Sequence, residues 1–293
     1  MRKDDEPVLT EEDLIRIAGE YDALVCNISN KITSKVITAA TKLKFISNIA
    51  VGHDNIDLDA ARKKNIIIAT TPGTLHRSVA EYAIGLLLMA SRKVSTHQYQ
   101  QKTEGYPNWA PTYNTGLEIS NKEIGIIGLG QIGKEIGRML HFGFNSKIYY
   151  LKNKSVPKTD YKITPLDKNQ FFSRMKFIII ACPLTEKTKN LIDDNELNSI
   201  QNDSVIVNIA RGKIINQKAL LKYKNKFRGI GLDVTDPDPL PLGHQILDDP
   251  NFFITPHIAS ATDEARGEMI KRALKNVYNY MHLEDSNDVN IIN

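Results

Sequence analysis

Three polar clusters stand directly after short apolar runs in the second half of the chain. Ala210-Arg211-Gly212 follows Val205–Ile209, Asp233 to Asp238 follows Gly229–Leu232, and Pro256-His257-Ile258 follows Phe252–Thr255. A cation, a carboxylate and an imidazole brought together are what reduction of a carbonyl needs. The planar guanidinium anchors an anionic substrate. The imidazole gives a proton to the carbonyl oxygen as hydride arrives, and a carboxylate beside it keeps it loaded. Taken singly, each residue has an ordinary structural role: Arg211 in a salt bridge at a helix start, Asp238 as a turn former between two prolines, His257 as a loop histidine. If the three runs are parallel strands, their ends share one edge of a sheet, where ligands bind in open α/β proteins. There the chemical reading prevails.

Upstream, Gly128-Leu129-Gly130-Gln131-Ile132-Gly133 is a G-x-G-x-x-G. Alone it is a weak signal, because a glycine-rich turn without a ligand reads the same. Here it follows an apolar strand, Ile124-Gly125-Ile126-Ile127, and opens a helix over Lys134–Leu140, the setting that the dinucleotide fingerprint requires. The glycines let the backbone turn sharply and approach a pyrophosphate, which sits on the positive end of the helix. An NAD site places an acid about 20 residues on, at the end of the second strand, to bind the ribose 2′-hydroxyl. Here that strand ends Tyr149-Tyr150-Leu151 and Lys152-Asn153-Lys154 follows. Two cations in place of an acid attract a 2′-phosphate and point to NADP(H). NAD(H) remains the alternative if both lysines are merely solvated.

The elements that must position these groups are legible as alternating patterns. Strand signals lie at Ala23–Cys26, Lys44–Ile49 and Ile66–Ala69, then at Glu123–Gly128, Lys147–Leu151, Phe177–Cys182, Ser204–Ile209, Gly229–Asp233 and Phe252–Thr255. The last six, near-continuously apolar and mostly separated by helix-length segments, predict a parallel sheet covered on both faces, hence an α/β doubly wound domain. Ser78-Val79-Ala80-Glu81 has the pattern of a capping box. It is expected to open a helix, Val79 to Ala90, buried on all sides. The polar segment Thr96–Ser120, with Gly105, Pro107, Trp109, Pro111 and Gly116, reads as a long connection or arm. A last helix with apolar Met269, Ile270, Ala273, Leu274, Val277 and Met281 is expected to pack back on the first domain. The expected division is 1–92 with 264–293, and 93–263.

The 293 residues suit two domains at about 100–200 residues each. With 41% hydrophobic and 25% charged residues, the composition excludes a disordered chain, a collagen-like fibre and a disulfide scaffold. The formal charge of +4, with no Lys/Arg block, argues against nucleic acid. No apolar run reaches the roughly 20 residues of a membrane span, and residues 1–7 do not form a secretory signal. Cys26 and Cys182 read as buried thiols in a reducing compartment, so a cytoplasmic setting is expected.

The chain resembles the D-isomer-specific 2-hydroxyacid dehydrogenases, most closely the glyoxylate/hydroxypyruvate reductases. The resemblance runs from about Glu6 to the C-terminal helix. Besides the glycine turn it rests on Ala50-Val51-Gly52-His53-Asp54-Asn55-Ile56-Asp57, Thr71-Pro72-Gly73, Cys182-Pro183-Leu184-Thr185, Asn208-Ile209-Ala210-Arg211-Gly212, Gly231-Leu232-Asp233-Val234-Thr235 and Thr255-Pro256-His257-Ile258. It implies a Rossmann cofactor domain beside a smaller flavodoxin-like substrate domain, and a small 2-oxo or 2-hydroxy acid as substrate. Arg211 would hold the substrate carboxylate and carbonyl oxygen, His257 would be the acid/base, and the backbone at Val51 and Gly52 would cradle the carboxylate. Asp233 would bind the nicotinamide carboxamide. Gln131, Ile132, Cys182, Pro183, Thr188, Ile209, Ala210, His257 and Ala259 would complete the cofactor contacts. A homodimer built partly by the arm around Trp109 is also implied.

Two departures stand out. The carboxylate before Pro-Leu-Pro is normally Glu in the family and here is Asp238, one methylene shorter, so its reach to His257 is open; the Arg211–Gly231 connection is also slightly short. A strand–helix–strand usually precedes the position of Glu6 in the family; the sequence given starts without it, so either its start is truncated or the small domain is reduced. They give weight to an alternative, a cofactor-sensing binding protein of the corepressor type; a 3-phosphoglycerate dehydrogenase-type activity, which needs further basic residues near the substrate, is another within the same superfamily.

Overall fold

The fold comes from a computed structural model that describes residues 8–105, 108–153, 157–282 and 289–293. The chain divides into two units, Met1–Leu75 with Thr262–Asn293, and His76–Ala261.

In the smaller unit the order is α1 (Glu11–Glu20), β1 (Ala23–Cys26), α2 (Ser34–Ala39), β2 (Phe45–Asn48), α3 (Leu58–Lys63) and β3 (Ile67–Ala69). Each helix starts at a residue whose side-chain oxygen accepts from the first turn: Thr10 from Asp13 N at 3.2 Å, Thr33 from Val36 N at 3.5 Å and Asp57 from Ala60 N at 2.9 Å. The strands form a parallel sheet in the order β1-β2-β3. Leu14, Ile37, Ile46 and Ile68 make its buried core. Helix Asp263–His282 returns to this unit, where Tyr280 stacks on Phe45 with ring centroids 4.5 Å apart. Residues 289–293 then run along β3. Ile291 bridges Ala69 in antiparallel sense, Asn290 Nδ2 donates to Thr70 Oγ1 at 2.7 Å, and Ile68 N donates to Asn293 Oδ1 at 2.8 Å.

The larger unit carries α4 (His76–Ser91), α5 (Val94–Thr103), β4 (Glu123–Ile127), α6 (Gln131–Phe144), β5 (Lys147–Leu151), β6 (Ile163–Leu166), α7 (Lys168–Arg174), β7 (Phe177–Ile180), α8 (Asp194–Ser199), β8 (Ser204–Asn208), α9 (Gln217–Tyr223), β9 (Phe227–Leu232) and β10 (Phe252–Ile254). All seven strands are parallel, in the order β10-β9-β8-β7-β4-β5-β6. The chain winds outward from β4 through β5 to β6, then crosses back to β7 on the other side of β4. That reversal is the switch point of a doubly wound sheet. β7 and β8 are buried at every position, as strands covered on both faces must be.

The sheet has seven strands rather than the six expected. β6 is short and holds Pro165, which cannot donate to a ladder; it is tolerated because β6 lies at the edge and pairs with β5 alone. The boundary expected at residue 92 falls at residue 75, because α4 packs on β8, β9 and α6 of the larger sheet. α4 begins at His76, so Ser78 lies inside its first turn instead of capping it. Nor is α4 buried all round, since Glu81 and Met89 form an exposed line. The segment expected as an arm begins with helix α5, which buries none of its residues. It is fastened by Ser95 and Thr96, whose hydroxyls donate to the carbonyls of Phe252 and Pro250 at 2.9 and 2.7 Å. No helix among the described residues is long and apolar enough to cross a membrane.

Glu123, at the start of β4, is gripped by Arg174 at the end of α7. Arg174 Nε and Nη2 donate to its two oxygens at 3.0 and 2.7 Å, and the Tyr149 hydroxyl adds a third bond at 3.0 Å. The Arg174 hydrogen bond, with the Tyr149 bond and nearby charge, outweighs partial burial and holds this carboxyl below its usual range. A depressed carboxyl contributes stability above its unfolded pKa and loses it as pH falls. The two side chains are 47% and 36% exposed, so solvent screens the pair. Arg174→Met should therefore lower stability slightly at neutral pH and by less at acid pH, where Glu123 is protonated. Denaturant unfolding at both pH values checks this, and an equal cost at both would refute it.

Candidate active site

The site is assembled at the carboxyl edge of the seven-stranded sheet. After β4 the chain turns at Gly128, whose φ of +96° is left-handed. A Cβ there would meet the Cys182 backbone at 2.6 Å. A Cβ on Gly133 would fall 2.0 Å from Gly128 O, so α6 can settle on the turn only because that residue is glycine. Gly130 N-caps α6 without a side-chain hydrogen bond, and a Cβ on it would meet nothing within 4 Å. Open space thus lies before the first-turn N–H groups, which have no intrahelical partner. A pyrophosphate fits this arrangement, with backbone donors and the positive helix end both aimed at it.

The neighbouring loops flank that cradle. Beyond β7, Cys182 is buried, and burial pushes its thiol up to about 11; it packs as a small apolar group and is no thiolate at neutral pH. Thr188 closes the next loop on itself. Its hydroxyl donates to Pro183 O and accepts from Thr185 N, both at 2.7 Å. At the end of β5, Lys152 and Asn153 are exposed; Lys154 lies outside the described residues, as does Glu6.

The Arg211 turn is set by a buried amide. Asn208 Nδ2 donates to Arg211 O at 2.9 Å, and Asn208 Oδ1 accepts from Ala210 N at 3.0 Å. Arg211 Nη1 donates to Ala210 O at 2.8 Å, and Ile209 and Ala210 beneath it are buried. Gly212 follows, and a Cβ on it would lie 1.9 Å from Thr235 O. Two loops are therefore packed backbone to backbone, the one carrying Arg211 and the one leading to Asp238. The β8–β9 register shifts only at Ser204/Val205, the far end, so Asn208 still faces Leu232.

Asp233, just past β9, is 1% exposed. Its Oδ1 accepts from Thr255 Oγ1 and Ile258 N at 2.8 Å, and its Oδ2 from Ala259 N at 2.9 Å. Burial raises this carboxyl above the ordinary value, and these hydrogen bonds oppose the shift. Its backbone carbonyl accepts from His257 N at 2.9 Å. His257 itself is left-handed, with φ +54°.

Asp238 reaches the imidazole. Its Oδ2 is 2.8 Å from His257 Nδ1, with both side chains partly exposed. A carboxylate can only accept, so Nδ1 carries the proton of this pair and Nε2 is left for another partner. The loop is braced by Thr235 Oγ1 on Pro237 O at 2.8 Å and by Asp236 N on Gln217 Oε1 at 3.0 Å. The missing methylene is thus made up by the path of the backbone.

In the smaller unit, buried amides shape the segment after β2. Asn48 Nδ2 donates to Gly52 O at 3.0 Å and to Asn55 Oδ1 at 3.1 Å, while Asn55 Nδ2 donates to the carbonyls of Asn27 and Asn30 at 3.1 Å. Val51 is left partly exposed at the tip. Burial raises the Cys26 thiol to about 12.

Arg211, Asp233, Asp238 and His257 therefore stand together in the larger unit. Asn208 and Thr255, which help hold them, stand in the quoted motifs but carry no assigned role there, and Gln217 is absent from the sequence reading. Asn208 lies just before the turn it shapes, a usable signal; Gln217 acts across the fold and leaves none. Among the described residues, no group of three His, Cys, Asp or Glu could hold a metal ion.

Residues 84–259 match the family model of the D-isomer specific 2-hydroxyacid dehydrogenase NAD-binding domain. The chain belongs to this family. The dehydrogenase is 34% identical over 278 residues to a glyoxylate reductase of Thermofilum pendens, covering 92% of this chain and 80% of that protein. To the human glyoxylate reductase/hydroxypyruvate reductase it is 33% identical over 278 residues, covering 93% and 84%. A crystal structure of a Thermus thermophilus protein superposes with a TM-score of 0.89 at 28% identity, covering 98% of this chain and 91% of that one. The dehydrogenase is thus a nicotinamide-dependent oxidoreductase of the D-isomer-specific 2-hydroxyacid family.

Gly212→Ala is the sharpest test of the packed loops in this dehydrogenase. Overpacking against backbone costs about 1–3 kcal/mol and must displace Thr235 and the Asp238 loop. We expect a lower melting temperature and a fall in kcat/KM of about a hundredfold. Normal turnover in a folded Gly212→Ala protein would show that the two loops move independently.

Proposed function

We propose that this dehydrogenase reduces a small 2-oxo acid, glyoxylate or hydroxypyruvate, to the D-2-hydroxy acid, with NADPH preferred over NADH. The observation that carries the reading is the His257–Asp238 pair at 2.8 Å, on the same sheet edge as Arg211. Arg211 holds the substrate carboxylate and carbonyl oxygen, its fork matching two oxygens at once. The family resemblance also assigns the backbone of Val51 and Gly52 to the substrate carboxylate. His257 donates its Nε2 proton to the carbonyl oxygen, and Asp238 holds Nδ1 so that Nε2 points outward. When bound, the nicotinamide supplies hydride to the carbonyl carbon.

Gly128, Gly130, Gln131, Ile132 and Gly133 cradle the pyrophosphate. Cys182, Pro183, Thr188, Ile209, Ala210, His257 and Ala259 line the rest of the cofactor site, with Asp233 on the carboxamide. Lys152, Asn153 and Lys154 take a 2′-phosphate. Assembly as a homodimer through the arm is supported by Trp109, which is 77% exposed. A cytoplasmic setting fits the two unpaired cysteines.

Steady-state rates with glyoxylate, hydroxypyruvate and pyruvate, each with NADPH and NADH, test this reading. NADPH binding without turnover of any 2-oxo acid would favour a cofactor-sensing binding protein instead. Asp238→Asn should lower kcat by about tenfold to a hundredfold while NADPH binding stays intact. Because the carboxylate already touches the ring, Asp238→Glu should impair the enzyme rather than improve it. Wild-type kcat in both variants would reduce Asp238 to a turn residue. Leu151→Asp with Lys152→Ala should move cofactor preference toward NADH by about tenfold, or about 1.4 kcal/mol. A wild type that already prefers NADH would remove the 2′-phosphate assignment.

A further inference from the structure

Two of the five residues Thr235–Pro239 are prolines and carry no N–H, so few main-chain donors can tie this loop to its surroundings. One that does is Asp236 N, which crosses to another element and donates to Gln217 Oε1 at 3.0 Å. Gln217 is the first residue of α9, and that helix start is fixed. Asn216 caps it, its Oδ1 accepting from Lys218 N and Ala219 N at 3.1 and 3.3 Å. Asn216 is itself held, its N donating to Ile192 O and its Nδ2 to Asp193 Oδ1, both at 2.9 Å.

We propose that Gln217 is a positioning residue for Asp238, acting through the main chain at Asp236. The proposal rests on the reading of His257 as the proton donor and Asp238 as its partner. A single methylene joins the Asp238 carboxyl to its Cα, so the path of the backbone decides whether Oδ2 meets His257 Nδ1, and the two are 2.8 Å apart. Contacts on two sides set that path. Gly212 is a stop, because a Cβ there would lie 1.9 Å from Thr235 O. Gln217, which lies beside Gly212 and Val234, is a tether two residues before Asp238. The bond from Thr235 Oγ1 to Pro237 O is internal to the loop and cannot anchor it to anything else. Asp236 is exposed and Gln217 partly so; water competes for this bond, and losing it grades the rate instead of abolishing it. A Glu at position 238 carries one more methylene and needs the backbone farther back. The tether that serves Asp therefore opposes Glu.

The test uses the full chain with Gln217→Met, which keeps the length of the side chain and removes the acceptor, and Gln217→Glu, which keeps an acceptor. Asp238→Glu and the double variant Gln217→Met/Asp238→Glu complete the set. Two readouts are taken: steady-state reduction of glyoxylate with NADPH, and the nitrogen NMR signal of His257 Nδ1 in histidine-labelled protein without substrate. Gln217→Met should lower kcat by about fivefold and leave KM and NADPH affinity within about twofold. It should also move the Nδ1 signal, and Gln217→Glu should keep kcat within about twofold of the wild type. In the Asp238→Glu background the sign reverses, and Gln217→Met should raise kcat by about threefold. A residue that only stabilised the fold would lower kcat by the same factor in both backgrounds, and that result overturns the proposal. So does a Gln217→Met protein with wild-type kcat and an unmoved Nδ1 signal. A wild type that reduces no 2-oxo acid removes the enzymatic reading. The Nδ1 signal then decides alone: moved by Gln217→Met, the positioning role stands, and unmoved, it falls.

Discussion

A carboxylate taken almost wholly out of water must be met by donors on every side, and Asp233 shows what that requirement builds. It is 1% exposed, and three donors converge on it. Two are consecutive backbone N–H groups, so the loop after β10 has little freedom in how it leaves the strand. The carbonyl of the same residue takes the N–H of His257. One residue at the end of β9 thereby dictates the backbone after β10, including the left-handed turn at the imidazole. The reactive ring is placed by main-chain geometry, and its own side chain only has to meet Asp238.

The remaining groups inherit their positions from the same edge of the sheet. Parallel strands bring the glycine turn, the Arg211 loop and the Asp233 loop to one side, and close backbone contacts fix the spacing between them. Gly212 against Thr235 and Gly128 against Cys182 are two of these approaches. Neither contact involves a reacting group. Each sets how near two loops can stand, and so how near an arginine can stand to an imidazole, or a helix start to a neighbouring strand end.

Much of this was legible in the sequence, because the signals were local. A glycine pattern between an apolar run and a helix is read within a dozen residues, and the strand ends after β8, β9 and β10 mark themselves by the switch from apolar to polar. What escaped was decided by distant partners. β6 contains a proline that only an edge tolerates, and an edge is a property of the whole sheet. The start of α4 at His76 follows from its packing on β8 and β9, against the local capping pattern at Ser78. α5 buries nothing and has no apolar stripe to announce it. The reach of Asp238 depended on the path of its loop, which packing against Gly212 and bracing by Gln217 set. Thr255 stands in sequence as one residue of a strand-end motif, and its own part shows only through the carboxylate it serves.

The smaller unit closes on itself through residues far apart in the chain. Helix Asp263–His282 and the segment 289–293 complete a sheet whose strands lie before residue 75, and the whole of the larger unit intervenes. During synthesis, β3 leaves the ribosome with one edge unpaired and stays so until the larger unit has been made. Closing the small sheet therefore joins segments near opposite ends of the chain, and the loop between them is as long as the whole larger unit. The small sheet is thus finished only by the last part of the chain to be made.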